Sequence, residues 1–193
     1  MPERLQLLLL VLLPLLLVTW QQGLAQTRAT YTSTNKVMIT LDGVTQPYTY
    51  ASDELLVRYN RNTQKLECII NVATLHPAND SVPPTMAYDV FFGAKYPDML
   101  IEIDAPVQKI NARNLYSETL SKKAAIGLQG VTNQTVIPVM FTPDRNTLLF
   151  STSFDLMLDN FEATIPVKYY PLLTGRIVVT INNARWIGLE TRQ

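Results

Sequence analysis

The residues of this chain that could do chemistry are few, and their spacing argues against most reactions. His76 is the only histidine, set in the loop His76-Pro77-Ala78-Asn79-Asp80, so neither a histidine metal cluster nor a Ser-His-Asp triad can be assembled. Asp155 and Asp159, and separately Glu102 and Asp104, are close enough in sequence for paired acid–base work. Their neighbours Phe154, Leu156 and Leu158, and Ile101 and Ile103, alternate with them, and strand alternation turns the carboxylates outward. Cys68 shares its strand face with Leu66 and Ile70, which makes it a buried thiol, and as the only cysteine it cannot form an internal disulfide. No glycine-rich phosphate loop, G-x-S-x-G elbow or zinc spacing occurs. Two sequons, Asn79-Asp80-Ser81 and Asn133-Gln134-Thr135, are too short a match to carry weight. No cofactor is expected, and no catalytic residue.

What stands out instead is aromatic. Tyr88, Phe91, Phe92 and Tyr96 crowd one short segment, while Phe141, Phe150, Phe154 and Phe161 fall on later apolar runs. Aromatics of this kind either pack a core or line an apolar pocket.

The elements that position them read as strands. Ala124 to Thr142 is the clearest stretch: Ile126 and Leu128 alternate with Gly127 and Gln129, Gly130 to Asn133 breaks the run, and Ile137, Val139 and Phe141 then share a face. Period-two placement around a Gly/Asn break predicts a hairpin, with positive φ expected at Gly130 and tolerated at Asn133. The same alternation recurs upstream: Val37, Ile39 and Leu41 lead to an expected turn at Asp42-Gly43, and Leu41 to Thr45 echoes Leu128 to Thr132. Leu55, Val57 and Tyr59, then Leu66, Cys68 and Ile70 across Asn60 to Thr63, give another hairpin. Thr74 to Asp98 is the exception, a proline-marked loop with one short helix near 85–92, capped by Ser81 or Thr85 and ended by Gly93. Met99, Ile101 and Ile103 resume the strands, and Val107 to Asn111 continues them. A polar link, Tyr116 to Lys123, precedes the Ala124 hairpin, and Pro143 to Asn146 follows it as a plain turn. Leu148, Phe150, Phe154 and Leu156, then Ile177, Val179 and Ile181, complete the set. The class is all-β, an antiparallel barrel or sandwich. Several runs, notably Thr135 to Phe141, are apolar on both faces, which calls for a covered second face or a greasy interior.

Residues 1–25 read as a cleaved signal peptide: Arg4, the apolar run Leu7 to Val18, and Gly23 and Ala25 before a cut at Gln26. Residues 26–193 then form one domain, large enough to bury about 70% of its unfolded surface. Positive and negative charges number 16 each, so nothing marks a nucleic-acid or anionic-membrane surface. Arg58, Glu67, Glu102, Asp155 and Asp159 interrupt the expected outward strand faces and argue against a lipid-embedded barrel, which the length alone would allow.

Three stretches resemble a known family. Asp89-Val90-Phe91-Phe92-Gly93-Ala94-Lys95-Tyr96-Pro97 is similar to the D-x-F-F-D-x-x-x-Y-P stretch of the YceI-like proteins. Ala124 to Phe141, with Gly130-Val131-Thr132 and Ile137-Pro138-Val139, resembles their strand–G-V-T–strand–P-V hairpin, and Ser153 to Phe161 their late F-x-I-x-x-x-x-F-G strand. The matches fall in the family's order over about Thr85 to Ala184. The sequence departs from the pattern at Gly93, where an acid is usual, at Glu162, where glycine follows the aromatic, and over Ala29 to Tyr50, which lacks the opening histidine motif. The resemblance implies an exported, periplasmic or secreted, lipocalin-like antiparallel β-barrel of about eight strands. It implies an isoprenoid-like or other amphiphilic lipid held in the apolar interior, no enzymatic activity, and pocket residues at Tyr88, Phe91, Phe92, Tyr96, Phe141, Phe154 and Phe161. It is compatible with a homodimer. The alternative is an envelope or stress-response interaction module that uses the barrel as scaffold and takes no lipid.

Overall fold

The computed structural model describes residues 31–106, 118–144 and 147–185. The expected leader, the Val107 to Asn111 strand and the Arg145-Asn146 part of the turn lie outside them. Among the described residues nine strands form: β1 (Thr32–Gly43), β2 (Tyr48–Asn60), β3 (Lys65–Asn71), β4 (His76–Pro77), β5 (Asp98–Asp104), β6 (Glu118–Leu128), β7 (Val131–Asp144), β8 (Thr147–Met157) and β9 (Leu173–Arg185). Hydrogen bonding runs β1-β9-β8-β7-β6-β5-β3-β2, and β1 also pairs β2, which closes an eight-stranded antiparallel barrel; β4 lies outside against β2. The one helix with α geometry among the described residues is α1 (Met86–Val90). The expected all-β barrel with a short helix is what forms.

Alternation builds the interior. Leu55 and Val57 of β2, Leu66 and Cys68 of β3, Ile101 and Ile103 of β5, Phe141 of β7, Phe150 of β8, and Ile177, Val179 and Ile181 of β9 are all 0% exposed. These side chains fill the barrel where its wall is closed. The apolar residues on the second face of β7 are not covered: Val136 is 61% exposed and Pro138 is exposed too. Two-faced apolar runs therefore reflect solvent-facing side chains here. Burial also pushes the Cys68 thiol up to about 12, well above its ordinary value, so it stays an unreactive core group.

Several turns differ from expectation for local reasons. The β6–β7 turn is only Gln129-Gly130, both at positive φ (51° and 83°), and Val131 to Asn133 already pair with β6. That two-residue geometry matches the twist of the flanking strands. The polar link before the hairpin is strand from Glu118, because Ser121 and Lys122 complete the ladder to Pro138 and Ile137. At the other echo, β1 continues through Gly43. A Cβ there would lie 2.2 Å from the Gln46 carbonyl and 2.7 Å from the Tyr48 ring, so this glycine serves close approach and the turn follows it.

One end of the barrel is capped by α1. Met86, Ala87, Val90 and Phe91 are buried beneath it. The left-handed residue that stops the helix is Phe92 (φ 51°), one place before Gly93, whose N–H donates to the Tyr88 carbonyl (2.9 Å). Thr85 precedes the helix without a side-chain bond to its backbone. The Tyr50 hydroxyl donates to the Pro83 carbonyl (2.7 Å) and the Gln129 amide to the Val90 carbonyl (2.9 Å). Asp89 Oδ2 accepts from Lys168 Nζ (2.7 Å) and Tyr169 Oη (2.8 Å), tying α1 to the 3₁₀ turn Val167–Tyr169.

The Lys168 ammonium, opposed by partial burial and aided by the Tyr169 hydroxyl, holds the Asp89 carboxyl below its usual value near 3.8. A depressed carboxylate contributes stability that is complete above its ordinary pKa and lost as pH falls through the depressed one. Asp89→Asn should therefore lower the melting temperature at neutral pH, and the gap from wild type should close below about pH 4. A gap of constant size down to pH 2.5, followed by circular dichroism, would show that the ion pair is not what holds the cap.

Candidate functional site

The barrel wall parts between β7 and β8, and among the described residues 118–123 of β6 also lack a pairing to β5. The β7–β8 opening is the one that reaches the aromatic interior near Phe161. Strands β7 and β8 pair from Asp144↔Thr147 only as far as Val139↔Thr152. Beyond that, residues 131–138 remain bonded to β6 and residues 153–157 to β9, but not to each other. The reason is in the sequence. By register Pro138 stands opposite Ser153, and its main chain faces β8. Proline has no N–H to donate, so the ladder loses a rung. The Pro138 carbonyl accepts from the buried hydroxyl of Thr152 at 2.6 Å.

The separated strands bound a cleft of about 460 Å³, lined by Ile126, Asn133, Gln134, Thr135, Asp155, Leu156, Met157, Asn160 and Phe161. That volume falls in the usual range for a small-molecule site, roughly 300–1,000 Å³. Its floor is the barrel's own interior, through Ile126, Leu156 and Phe161. Its lip is polar. Asn133 and Thr135 belong to the inward-facing series of Ile137, Val139 and Phe141, yet they are half-buried and exposed, respectively. Asn133 donates its amide to the Asn160 carbonyl, joining β7 to the 3₁₀ turn Leu158–Phe161. Asp155 Oδ2 accepts from Arg176 Nε at 3.2 Å on the outer surface.

Main-chain groups are exposed along the same cleft. The two-residue turn directs the odd-numbered residues of β7 to β6, so those of Gln134 and Val136 point at the gap, as do those of Ser153 and Asp155 on β8. Such edges are bonding-competent and open.

The seven aromatics singled out in the sequence are scattered by this fold. Phe161 lines the cleft, and Phe154 stands one inward position from Leu156 on β8. Their strand is where the seal loosens: Phe154 and Leu156 are 8% and 7% exposed, against 0% for Phe141 and Phe150 in the paired half. Phe91 is buried under the cap, Tyr88 and Phe92 are 39% and 40% exposed on it, and Tyr96 packs on the Gly130 turn. The cleft residues that sequence reasoning passed over are Asn133, Thr135, Leu156 and Asn160. The signal that leads to them is Pro138, since a proline inside a strand run marks an edge. Among the described residues no cluster of His, Cys, Asp or Glu has metal-holding geometry.

No protein-family model matches the chain, and no curated protein does. Solved structures do. A polyisoprenoid-binding domain from Saccharophagus degradans implicated in plant cell wall breakdown is similar with a TM-score of 0.63 and 12% identity, over 78% of this chain and 93% of that one. BcnA of Burkholderia cenocepacia is similar with a TM-score of 0.56 and 15% identity, over 76% and 93%. A Campylobacter jejuni YceI protein gives 0.45 at 13% identity, over 86% and 90%. At such identities the likeness is one of fold.

If the missing rung opens the cleft, Pro138→Val should close part of it. Valine restores a donor opposite Ser153, and one ladder bond is worth about 1 kcal/mol. The melting temperature should rise by about 2–4 °C for a domain of this size, with the new valine amide, which donates to the Ser153 carbonyl, protected from hydrogen exchange. An unprotected valine amide and an unchanged melting point would place the cause elsewhere.

Proposed function

We propose that this chain, which has the barrel fold of the YceI-like structures, is an exported protein that binds an isoprenoid-like or other amphiphilic lipid, without catalysing a reaction on it. The observation that carries this reading is the cleft between β7 and β8, polar at its lip and apolar at its floor. An amphiphile is the ligand that such a site complements: its chain lies on Ile126, Leu156 and Phe161, and its head meets Asn133, Thr135 and Asn160. Each methylene removed from water contributes about 0.8 kcal/mol, so a handful suffices without any charged contact. The filled lumen favours the split wall as the point of binding, from which Phe154 and Phe161 lead inward.

The fold neighbour named as a polyisoprenoid-binding domain supports a prenyl-type chain as the first ligand to try. Export, to a periplasm or to the outside, rests on the leader-like residues 1–25. The protein needs no cofactor in this role.

A second reading is favoured by one observation. The interior is filled and two strand edges are open, which is how a scaffold-type interaction module would take an extended peptide, by adding a strand. The two readings part in a single experiment. Protein purified without detergent is analysed by native mass spectrometry and by organic extraction, beside Thr135→Trp, which plugs the cleft from an exposed position. The lipid reading expects an amphiphile on the wild type, depleted at least tenfold in the variant. Ligand-free wild type that stays empty when offered a prenyl alcohol would remove it and leave the peptide reading.

A further inference from the structure

The electrostatics of the cleft lip carry an inference about the head of the ligand, one that rests on the lipid reading above. Asp155 is on the lip itself, and the turn that supplies Asn160 and Phe161 also exposes Asp159 and Glu162. Among the described residues that line the cleft there is no lysine or arginine. Arg176, on β9, is engaged by the lip residue Asp155 at 3.2 Å, and both partners of that pair are about half exposed. The other polar groups of the lip, from Asn133, Thr135 and Asn160, are amides and a hydroxyl. These donate and accept hydrogen bonds without net charge.

We infer that the cleft selects amphiphiles with an uncharged, hydrogen-bonding head, an alcohol or an amide, and rejects those with a phosphate or other anionic head. The physical reason is twofold. A phosphate brought to this lip meets the Asp155 carboxylate, with Asp159 and Glu162 exposed on the adjoining turn, and no lysine or arginine in the lining; like charges repel most where an apolar wall lowers the local dielectric. An alcohol loses its hydration to amide and hydroxyl partners that replace it, at no electrostatic cost. Asp155 acts here as a specificity-determining residue. It adds negative potential at the lip and also occupies the guanidinium that could otherwise hold a phosphate in a two-pronged contact.

The test uses the full chain with a medium-chain prenyl alcohol and the prenyl monophosphate of the same length, titrated by calorimetry at moderate salt. The wild type should bind the alcohol at least tenfold more tightly. Asp155→Asn removes the lip carboxylate and releases Arg176, so the ratio of the two affinities should shrink several-fold toward the phosphate. Asp159→Asn with Glu162→Gln, both exposed positions, should shrink it in the same direction without touching Arg176. Equal or tighter binding of the monophosphate by the wild type overturns the inference, as does a ratio that neither variant moves. Wild type that binds neither probe removes the lipid reading itself, and that outcome is distinct from a reversed preference.

Discussion

Closure of the sheet on itself is the constraint from which the rest of this structure follows. Eight strands laid flat would leave two edges of unpaired N–H and C=O groups, and this chain removes them by pairing β1 with both β2 and β9. The seam is held with side chains where regular pairing fails. Near the start of β1 the backbone bulges, with Thr34 at φ 71°, and Asn35 restores the ladder by exchanging two bonds with Arg185, accepting from its N–H at 2.8 Å and donating to its carbonyl at 3.0 Å. Thr32 adds a bond to the Val57 carbonyl on the opposite neighbour. Closure then forces every second residue inward, and that is why the apolar series of the barrel strands meet in one packed interior.

A closed wall makes any break in it conspicuous. The single residue type that cannot take part in a ladder on both sides is proline, and Pro138 sits where β7 should turn to β8. The consequence spreads beyond one lost bond. Once the strands part, Leu158–Phe161 can fold as a 3₁₀ turn over the gap, and Asn133 reaches across to fasten it. The cap is built on a similar economy. A five-residue helix is too short to be stable alone, and it is held by what it buries and by Asp89, Gln129 and Tyr50, each from a different part of the chain or bonding to one.

The all-β class and most inward faces were legible in the sequence, because the rule behind them is local. Ile137, Val139 and Phe141, or Ile177, Val179 and Ile181, show their burial through period two alone. The short helix was legible through its prolines and its aromatic cluster. The choice between barrel and sandwich was not, since it depends on whether β1 finds β9, a pairing about 140 residues apart in register that leaves no mark on either strand. The three family-like stretches supplied that information. Turn positions slipped where a glycine serves packing, as Gly43 does, or where strain falls on a neighbour, as at Phe92. Aromatic content does not point to this cleft: of the seven residues Phe161 alone lines it, because large rings are as useful for filling a barrel as for lining a pocket.

A better guide was a place where alternation keeps its period and changes its chemistry. Along β7 the inward series reads Asn133, Thr135, Ile137, Val139, Phe141, polar for two positions and apolar for three. In a fully closed barrel those first two would be buried polar groups in need of partners. The facing β6 offers apolar Ala124 and Ile126 at the same level, so side-chain partners are not there to be found. A sequence that places amide and hydroxyl inward at that height fits a wall that opens there. The proline a few residues on is what opens it. Polar lip, apolar floor and missing rung are thus three expressions of one local departure from the rule that builds the rest of the barrel, and an amphiphile is the class of ligand whose two halves that departure matches.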